Sequence, residues 1–93
     1  MRFEVYGKQN CAKCDSTKAK LAHFLGKVGA RSAAEIVFVD MDSVVGRAEG
    51  AFYDVHSVPT TILRSETGAE LSRWKGEIPH SDEIKAFLAQ PQV

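Results

Sequence analysis

Within its first forty residues the chain changes hydrophobic period twice, and that succession narrows the possible folds more than any other feature. Arg2 to Tyr6 alternates apolar Phe3 and Val5 with charged Arg2 and Glu4, the pattern of a short strand, and Gly7 closes it. A polar loop, Lys8-Gln9-Asn10, follows. Cys14, Leu21, Phe24, Leu25 and Val28 then recur at helical spacings, with Lys13, Lys18, Lys20 and Lys27 on the other side. The spacing predicts a helix over about residues 12–27, with Gly26 and Gly29 as stop signals. Ile36-Val37-Phe38-Val39 is continuously apolar and β-branched, which reads as a strand buried on both faces of a parallel sheet. Strand, helix and buried strand together imply a right-handed parallel crossover.

The remainder extends this frame. Asp42 or Ser43 can cap a second helix, with Val44, Ala48, Ala51, Phe52 and Val55 as its apolar stripe. Gly46 and Gly50 lower helical propensity there, so a short or irregular helix is expected. Val58-Pro59 interrupts the pattern. Thr60 to Leu63 reads as a third strand, Glu66-Thr67-Gly68-Ala69 as a hairpin turn, and Glu70 to Lys75 as a fourth strand. Gly76 and Pro79 break the chain. Ser81 is expected to cap a last helix, with Asp82 and Glu83 at its positive end and Ile84, Phe87 and Leu88 as its buried stripe. Pro91-Gln92-Val93 is expected to fray. The order is β-α-β-α-β-β-α, an α/β architecture of four strands in a mixed sheet with three helices on both faces. Residues 1–93 suffice for a single domain. Phe3, Phe24, Phe38, Phe52 and Phe87 fall on faces read as core. Trp74 reads as a packing residue, and Asp40 and Asp42 as capping acids, not a cation site.

Charge and hydropathy exclude several functions. Twelve Lys and Arg balance twelve Asp and Glu, so there is no net field to hold nucleic acid or a membrane surface. The longest apolar runs are four residues, against the ~20 that span a bilayer. An acid stands at the fourth position, and no apolar stretch of signal-peptide length follows it. A cytoplasmic protein is expected, with no nucleic-acid or membrane partner.

The cysteines carry the chemistry. There are two, Cys11 and Cys14, too few for a disulfide-stapled scaffold. Cys11 falls at the cap or first turn of the first helix, where free N–H groups and the positive end of the helix dipole favour thiolate. A free cysteine has a pKa of ~8.5, which falls to ~3.5–7 in such motifs. Lys13 inside the motif adds a positive charge, and Lys8 can add another. Two intervening residues let the sulfurs meet as a disulfide or part as a dithiol with little backbone movement. Cys11 is then the attacking thiolate and Cys14 the resolving thiol, with no metal and no organic cofactor. Three other readings stay open. A zinc site needs four ligands, whereas His23, His56 and His80 stand singly. A structural disulfide of this span constrains the unfolded chain little. The third is a pair of idle thiols.

These residues resemble the thioredoxin superfamily. A strand ends just before C-x-x-C. Tyr53-Asp54-Val55-His56-Ser57-Val58-Pro59-Thr60 is similar to the Y-x-V-x-[SG]-[VI]-P-T segment of that family. The hairpin closing on Lys75-Gly76, followed by Glu83-Ile84-Lys85-Ala86-Phe87-Leu88, resembles its terminal helix. The resemblance implies a thioredoxin fold and a thiol–disulfide oxidoreductase acting on protein disulfides. It also implies that Pro59 is cis and faces the cysteines, leaving the Val58 backbone free to pair with an extended substrate segment.

The chain also departs from the family. Asn10, Ala12 and Lys13 replace the tryptophan, glycine and proline of W-C-G-P-C. Val5 stands where thioredoxins bury an aspartate that helps move the resolving thiol's proton. Ala19 stands where a helix-kinking proline is usual. Against glutaredoxins, Lys8 matches the lysine of K-x-x-C, and Val58-Pro59 matches the glutathione-contacting V-P. The C-P-Y-C motif is absent, and Gly76-Glu77-Ile78-Pro79 replaces the G-G-x-D that grips the γ-glutamyl end. The expectation is a small thioredoxin-like protein of glutaredoxin size, reduced by a thioredoxin-reductase-like flavoenzyme instead of glutathione. The cation at Lys13 favours the dithiol, so a reduction potential above the ~−270 mV of thioredoxin and nearer ~−230 mV is expected. A dedicated electron donor to one enzyme, or a non-cycling interaction or metal-sensing module, are the alternatives.

Overall fold

The structure, a computed structural model, describes residues 1–27, 29 and 34–89. Its elements are β1 (Arg2–Gly7), α1 (Ala12–Lys27), β2 (Glu35–Asp40), α2 (Val44–Phe52), β3 (Thr60–Arg64), β4 (Glu70–Lys75) and α3 (Ser81–Leu88). The expected element order and the mixed four-stranded sheet are both present. Strands lie in the order β2-β1-β3-β4, with β1 parallel to β2 and antiparallel to β3, and β3 antiparallel to β4. The readings of Val28 and of the Pro91–Val93 tail lie outside the described residues.

Side-chain alternation divides the sheet into two faces. Phe3 and Val5 of β1 and Leu63 of β3 join Leu21 and Leu25 of α1, Trp74 of β4 and Ile84 of α3 in one core. Each such side chain, fully buried, contributes ~1.5–3 kcal/mol. The opposite face carries Tyr6, Ile62 and Val55, with Val39, Met41 and Tyr53 packed against them around α2. Trp74 is core, as read. Its indole N–H donates to the Glu83 carboxylate at 3.3 Å, and its ring meets Phe87 edge-on at 6.4 Å.

Four readings of the sequence are corrected. The Ile36–Val39 run is not buried on both faces, because β2 is an edge strand, and Val37 is 37% exposed. The apolar stripe of α2 is not its buried side: Val44, Ala48, Ala51 and Phe52 are exposed, Phe52 at 79%, so that phenylalanine is not core. The helix is short, nine residues, as read, and it packs through Gly46 and Gly50. A Cβ at Gly46 would collide with the Asp40 carbonyl, and one at Gly50 would sit 2.9 Å from Met41 Sδ. The glycines that lower helix propensity are the ones that let the helix close on the end of β2. Ser43 is its cap, accepting the Gly46 N–H at 2.9 Å. Finally, His80, not Ser81, holds the cap position of α3, and it makes no side-chain cap bond. Asp82 and Glu83 do lie in the first turn of that helix, where the dipole favours them.

Candidate redox-active site

Cys11 and Cys14 are joined by a disulfide, with their Cα atoms 5.2 Å apart. The loop that delivers Cys11 turns at Asn10, whose φ of 57° is left-handed, a conformation asparagine tolerates better than most residues. Cys11 directly precedes α1. Its carbonyl accepts the Asp15 N–H at 3.0 Å, and its sulfur accepts the Cys14 N–H at 3.1 Å. The sulfur therefore does what a serine or aspartate side chain does at a helix cap, taking one of the orphan N–H donors of the first turn. Cys11 is half-buried, while Cys14 is fully buried on the side of α1 that also buries Thr17, Leu21 and Leu25. Cys11 thus meets solvent and Cys14 does not.

Gly7 seats Cys14, and the sequence reading assigned it only the end of a strand. A Cβ at Gly7 would lie 2.9 Å from both Cys14 Sγ and a ring carbon of Phe38. The helix start can press the cysteine onto β1 only because that position has no side chain. The available signal was a glycine where strand meets motif, four residues before Cys11.

Val58-Pro59 is a cis peptide bond, Val58 is half-buried and Pro59 is buried. The β1–β3 register pairs Tyr6 with Thr60, so Gly7 and position 59 lie across from one another one step further. Pro59 is thereby at the strand end on which Cys14 rests. The Pro59 carbonyl accepts the Gly76 N–H at 2.7 Å, and Thr60 Oγ1 donates to the Ser57 carbonyl at 2.6 Å, so the turn is tied on both sides.

The flanking cations differ from one another. Lys13 is exposed on the first turn. Lys8 Nζ lies 3.9 Å from the Asp42 carboxylate, which shares its charge. Lys18, read from the sequence as part of a solvated lysine face, is half-buried. Its ammonium stands 4.1 Å above the Phe38 ring that borders Cys14, and 3.6 Å from Asp15. The period-3.6 pattern put Lys18 with the other lysines, and the tilt of α1 over β2 brings it inward. Asp40 and Asp42 form a turn. Asp40 Oδ1 accepts the Asp42 N–H at 2.9 Å, and the Asp40 carbonyl accepts from Ser43 Oγ at 2.7 Å.

The other face of the sheet holds a charged cluster that the sequence reading did not single out. Arg64 Nε donates to Glu4 Oε1 at 2.6 Å, and Arg2 Nη2 lies 3.0 Å from Glu4 Oε2. Arg64 also stacks over the Tyr53 ring at 4.3 Å. Burial, reinforced by the Glu4 carboxylate, pushes the Tyr6 phenol up to about 12.

By sequence, no protein-family model and no curated protein matches this chain. By structure, it is similar to thioredoxin 1 of Thermosipho africanus (20% identity, TM-score 0.72), over 95% of this chain and 94% of that one. It is also similar to an uncharacterized thioredoxin-like protein of Clostridium perfringens (16% identity, TM-score 0.78, 94% and 67% covered). A third similar structure is oxidized thioredoxin O2 of Arabidopsis thaliana (15% identity, TM-score 0.69, 94% and 70% covered). The chain has the thioredoxin fold. The Thermosipho protein is matched almost end to end, so short length does not separate a glutaredoxin from a thioredoxin here.

Proposed function

We propose that this thioredoxin-fold chain is a thiol–disulfide oxidoreductase that reduces protein disulfides through Cys11 and Cys14. One observation carries the reading: the half-buried cysteine at the cap of α1 is bonded to the fully buried cysteine one turn in. When that disulfide is reduced, the N–H donors and the helix dipole still point at Cys11 and favour its thiolate. The thiolate attacks one sulfur of a substrate disulfide and forms a mixed disulfide. The other substrate sulfur leaves as a thiolate and takes up a proton. Cys14 then gives up its proton and attacks Cys11, re-forming the Cys11–Cys14 bond and releasing the second substrate thiol. Two electrons pass from the dithiol to the substrate, and no cofactor enters the cycle.

In this reading Val58 offers its backbone to an extended substrate segment beside the sulfurs, and Lys13 and Lys8 tune the thiolate. The electron source is a thioredoxin-reductase-like flavoenzyme, because Gly76-Glu77-Ile78-Pro79 lacks the residues that hold the γ-glutamyl end of glutathione. The setting is cytoplasmic. Among the described residues no helix is long and apolar enough to cross a membrane.

The test is a redox titration. Purified protein is equilibrated across thiol–disulfide ratios, free thiols are trapped by alkylation, and the mass is read. Cys11 and Cys14 are expected to shift together as one two-electron pair, and the reduced protein to reduce insulin. A protein that never forms the intramolecular disulfide reversibly would overturn the proposal, and metal analysis of the same sample would then address a non-cycling site.

A further inference from the structure

Thr61 Oγ1 is fully buried and makes no hydrogen bond among the described residues. Buried hydroxyls are nearly always paired, and one left unpaired lowers stability relative to valine in the same place. Its position says what it is for. Thr61 lies between Val5 of β1 and Trp74 of β4 in register, on the sheet face that α1 and α3 cover. Gly7, which seats Cys14, is the diagonal neighbour of Thr61 on that face, two residue pairs up the β1–β3 ladder. Two other polar groups of this face are committed. The Trp74 indole N–H donates to Glu83, and the Thr17 hydroxyl donates to the Lys13 carbonyl. Val5 and Leu63 offer nothing. Cys14, seated on the diagonal neighbour Gly7, is the group on this face whose hydrogen-bonding capacity changes during a redox cycle.

We propose that Thr61 is the positioning residue of the resolving thiol: once the disulfide opens, its hydroxyl donates to the Cys14 sulfur and favours the thiolate. This rests on the dithiol exchange proposed above. In the mixed disulfide, Cys14–SH loses its proton through solvent to the departing substrate sulfur. The hydroxyl holds the resulting thiolate until that thiolate bonds to Cys11. No proton is retained on Thr61, so the step balances with the threonine unchanged. The core on this face includes Val5, Phe38, Trp74, Ile84 and Phe87, none of which titrates, and Phe38 borders Gly7 together with Cys14. Titrating groups close by are Cys11, the disulfide partner of Cys14 just before α1, and Lys18 of α1, whose ammonium lies over the Phe38 ring.

The experiment reads Cys14 alone. In a Cys11→Ser background, thiolate absorbance is followed against pH for the Thr61, Thr61→Val and Thr61→Ser proteins. Removing the hydroxyl is expected to raise the Cys14 pKa by about one unit, a roughly tenfold loss of thiolate at neutral pH. Serine is expected to restore it. In proteins that retain Cys11, a mixed disulfide between Cys11 and an aromatic thiol is expected to live about threefold longer with valine. The loss is smaller than tenfold because a more basic thiolate is also the better nucleophile. Should the valine variant not fold, Thr61→Ala removes the same hydroxyl and must show the same shift. Superimposable titrations with and without the hydroxyl would overturn the proposal and leave Thr61 a packing residue. A chain that fails to cycle would overturn the oxidoreductase reading instead, while the Cys11→Ser titration would still report whether Thr61 bonds Cys14.

Discussion

On the α1 side of the sheet the buried side chains are apolar, apart from Cys14 and two threonines. On the α2 side, one residue out of phase, Glu4, Tyr6 and Arg64 are buried together, with Arg2 against the carboxylate. Strand alternation alone produces the difference. Val5 points at the helix that carries the cysteines, and Glu4, its neighbour in sequence, points away. The buried acid of this protein is therefore insulated from the disulfide by the thickness of the sheet. On the α1 side the strand position next to Glu4 is the apolar Val5, and its partner in register on β3 is Thr61. The Glu4–Arg64 ion pair thus lies on the face opposite the one that buries Cys14.

The largest way to break this contrast is to strip the α2 face of its acid. Glu4→Gln leaves the Arg64 guanidinium buried without a counter-charge, and the loss is expected at ~3 kcal/mol or more in urea unfolding. A loss below ~1 kcal/mol would show that the cluster does not hold that face. The redox titration of the same variant should match the parent, because the acid lies on the wrong side of the sheet to reach Cys14.

Packing comes next. Gly46→Ala adds the better helix former by ~1 kcal/mol, yet its Cβ would strike the Asp40 carbonyl, so a net loss of ~1–3 kcal/mol is expected. A net gain in thermal stability would mean that α2 can shift freely, and that its glycine face is incidental.

An alkaline titration sharpens the comparison further. The Tyr6 phenol ionises at about 12 in the folded chain, against ~10 when unfolded, because burial and Glu4 both disfavour its anion. Its folded value is raised, so the contribution is complete below pH ~10 and is lost as pH rises from there through about 12. Tyr6→Phe should flatten the decline in stability over that window. An equally steep decline in both proteins would place the sensitivity elsewhere.

The smallest effect belongs to the α1 face. Lys13→Pro is expected to lower the reduction potential by ~10–20 mV, since an exposed cation near a helix start acts on the thiolate only weakly. Identical potentials for the two proteins would remove Lys13 from the tuning of Cys11.

Much of this arrangement was legible in one dimension. The boundaries of α1, the order of elements, and the cysteine at the helix start all follow from local periodicity and capping, which are properties of neighbouring residues. The legible parts end where contacts come from elsewhere in the chain. Ile36–Val39 looks like a central strand, but edge position is a property of the whole sheet. Val44 and Phe52 look like a core stripe, but α2 turns its glycines inward because close approach to Asp40 and Met41 outweighs apolar burial there. Lys18 looks solvated until Phe38 arrives beneath it. Val58-Pro59 was marked as a site only through its resemblance to a family segment, since the choice of peptide isomer depends on the fold around it.

What the amino-acid order determined by itself is the chemistry on offer: two thiols spaced to meet, a helix start to activate one of them, and no charge excess to draw other partners. Tertiary structure alone decided which groups share a face with those thiols. Glu4 and Thr61 are ordinary strand residues until β1 and β3 pair. Their register then sends the carboxylate to one side of the sheet and the hydroxyl to the other, the side on which Cys14 rests against Gly7. Register fixes side-chain direction over distances that no local pattern reports, because a shift of one residue would exchange the two faces.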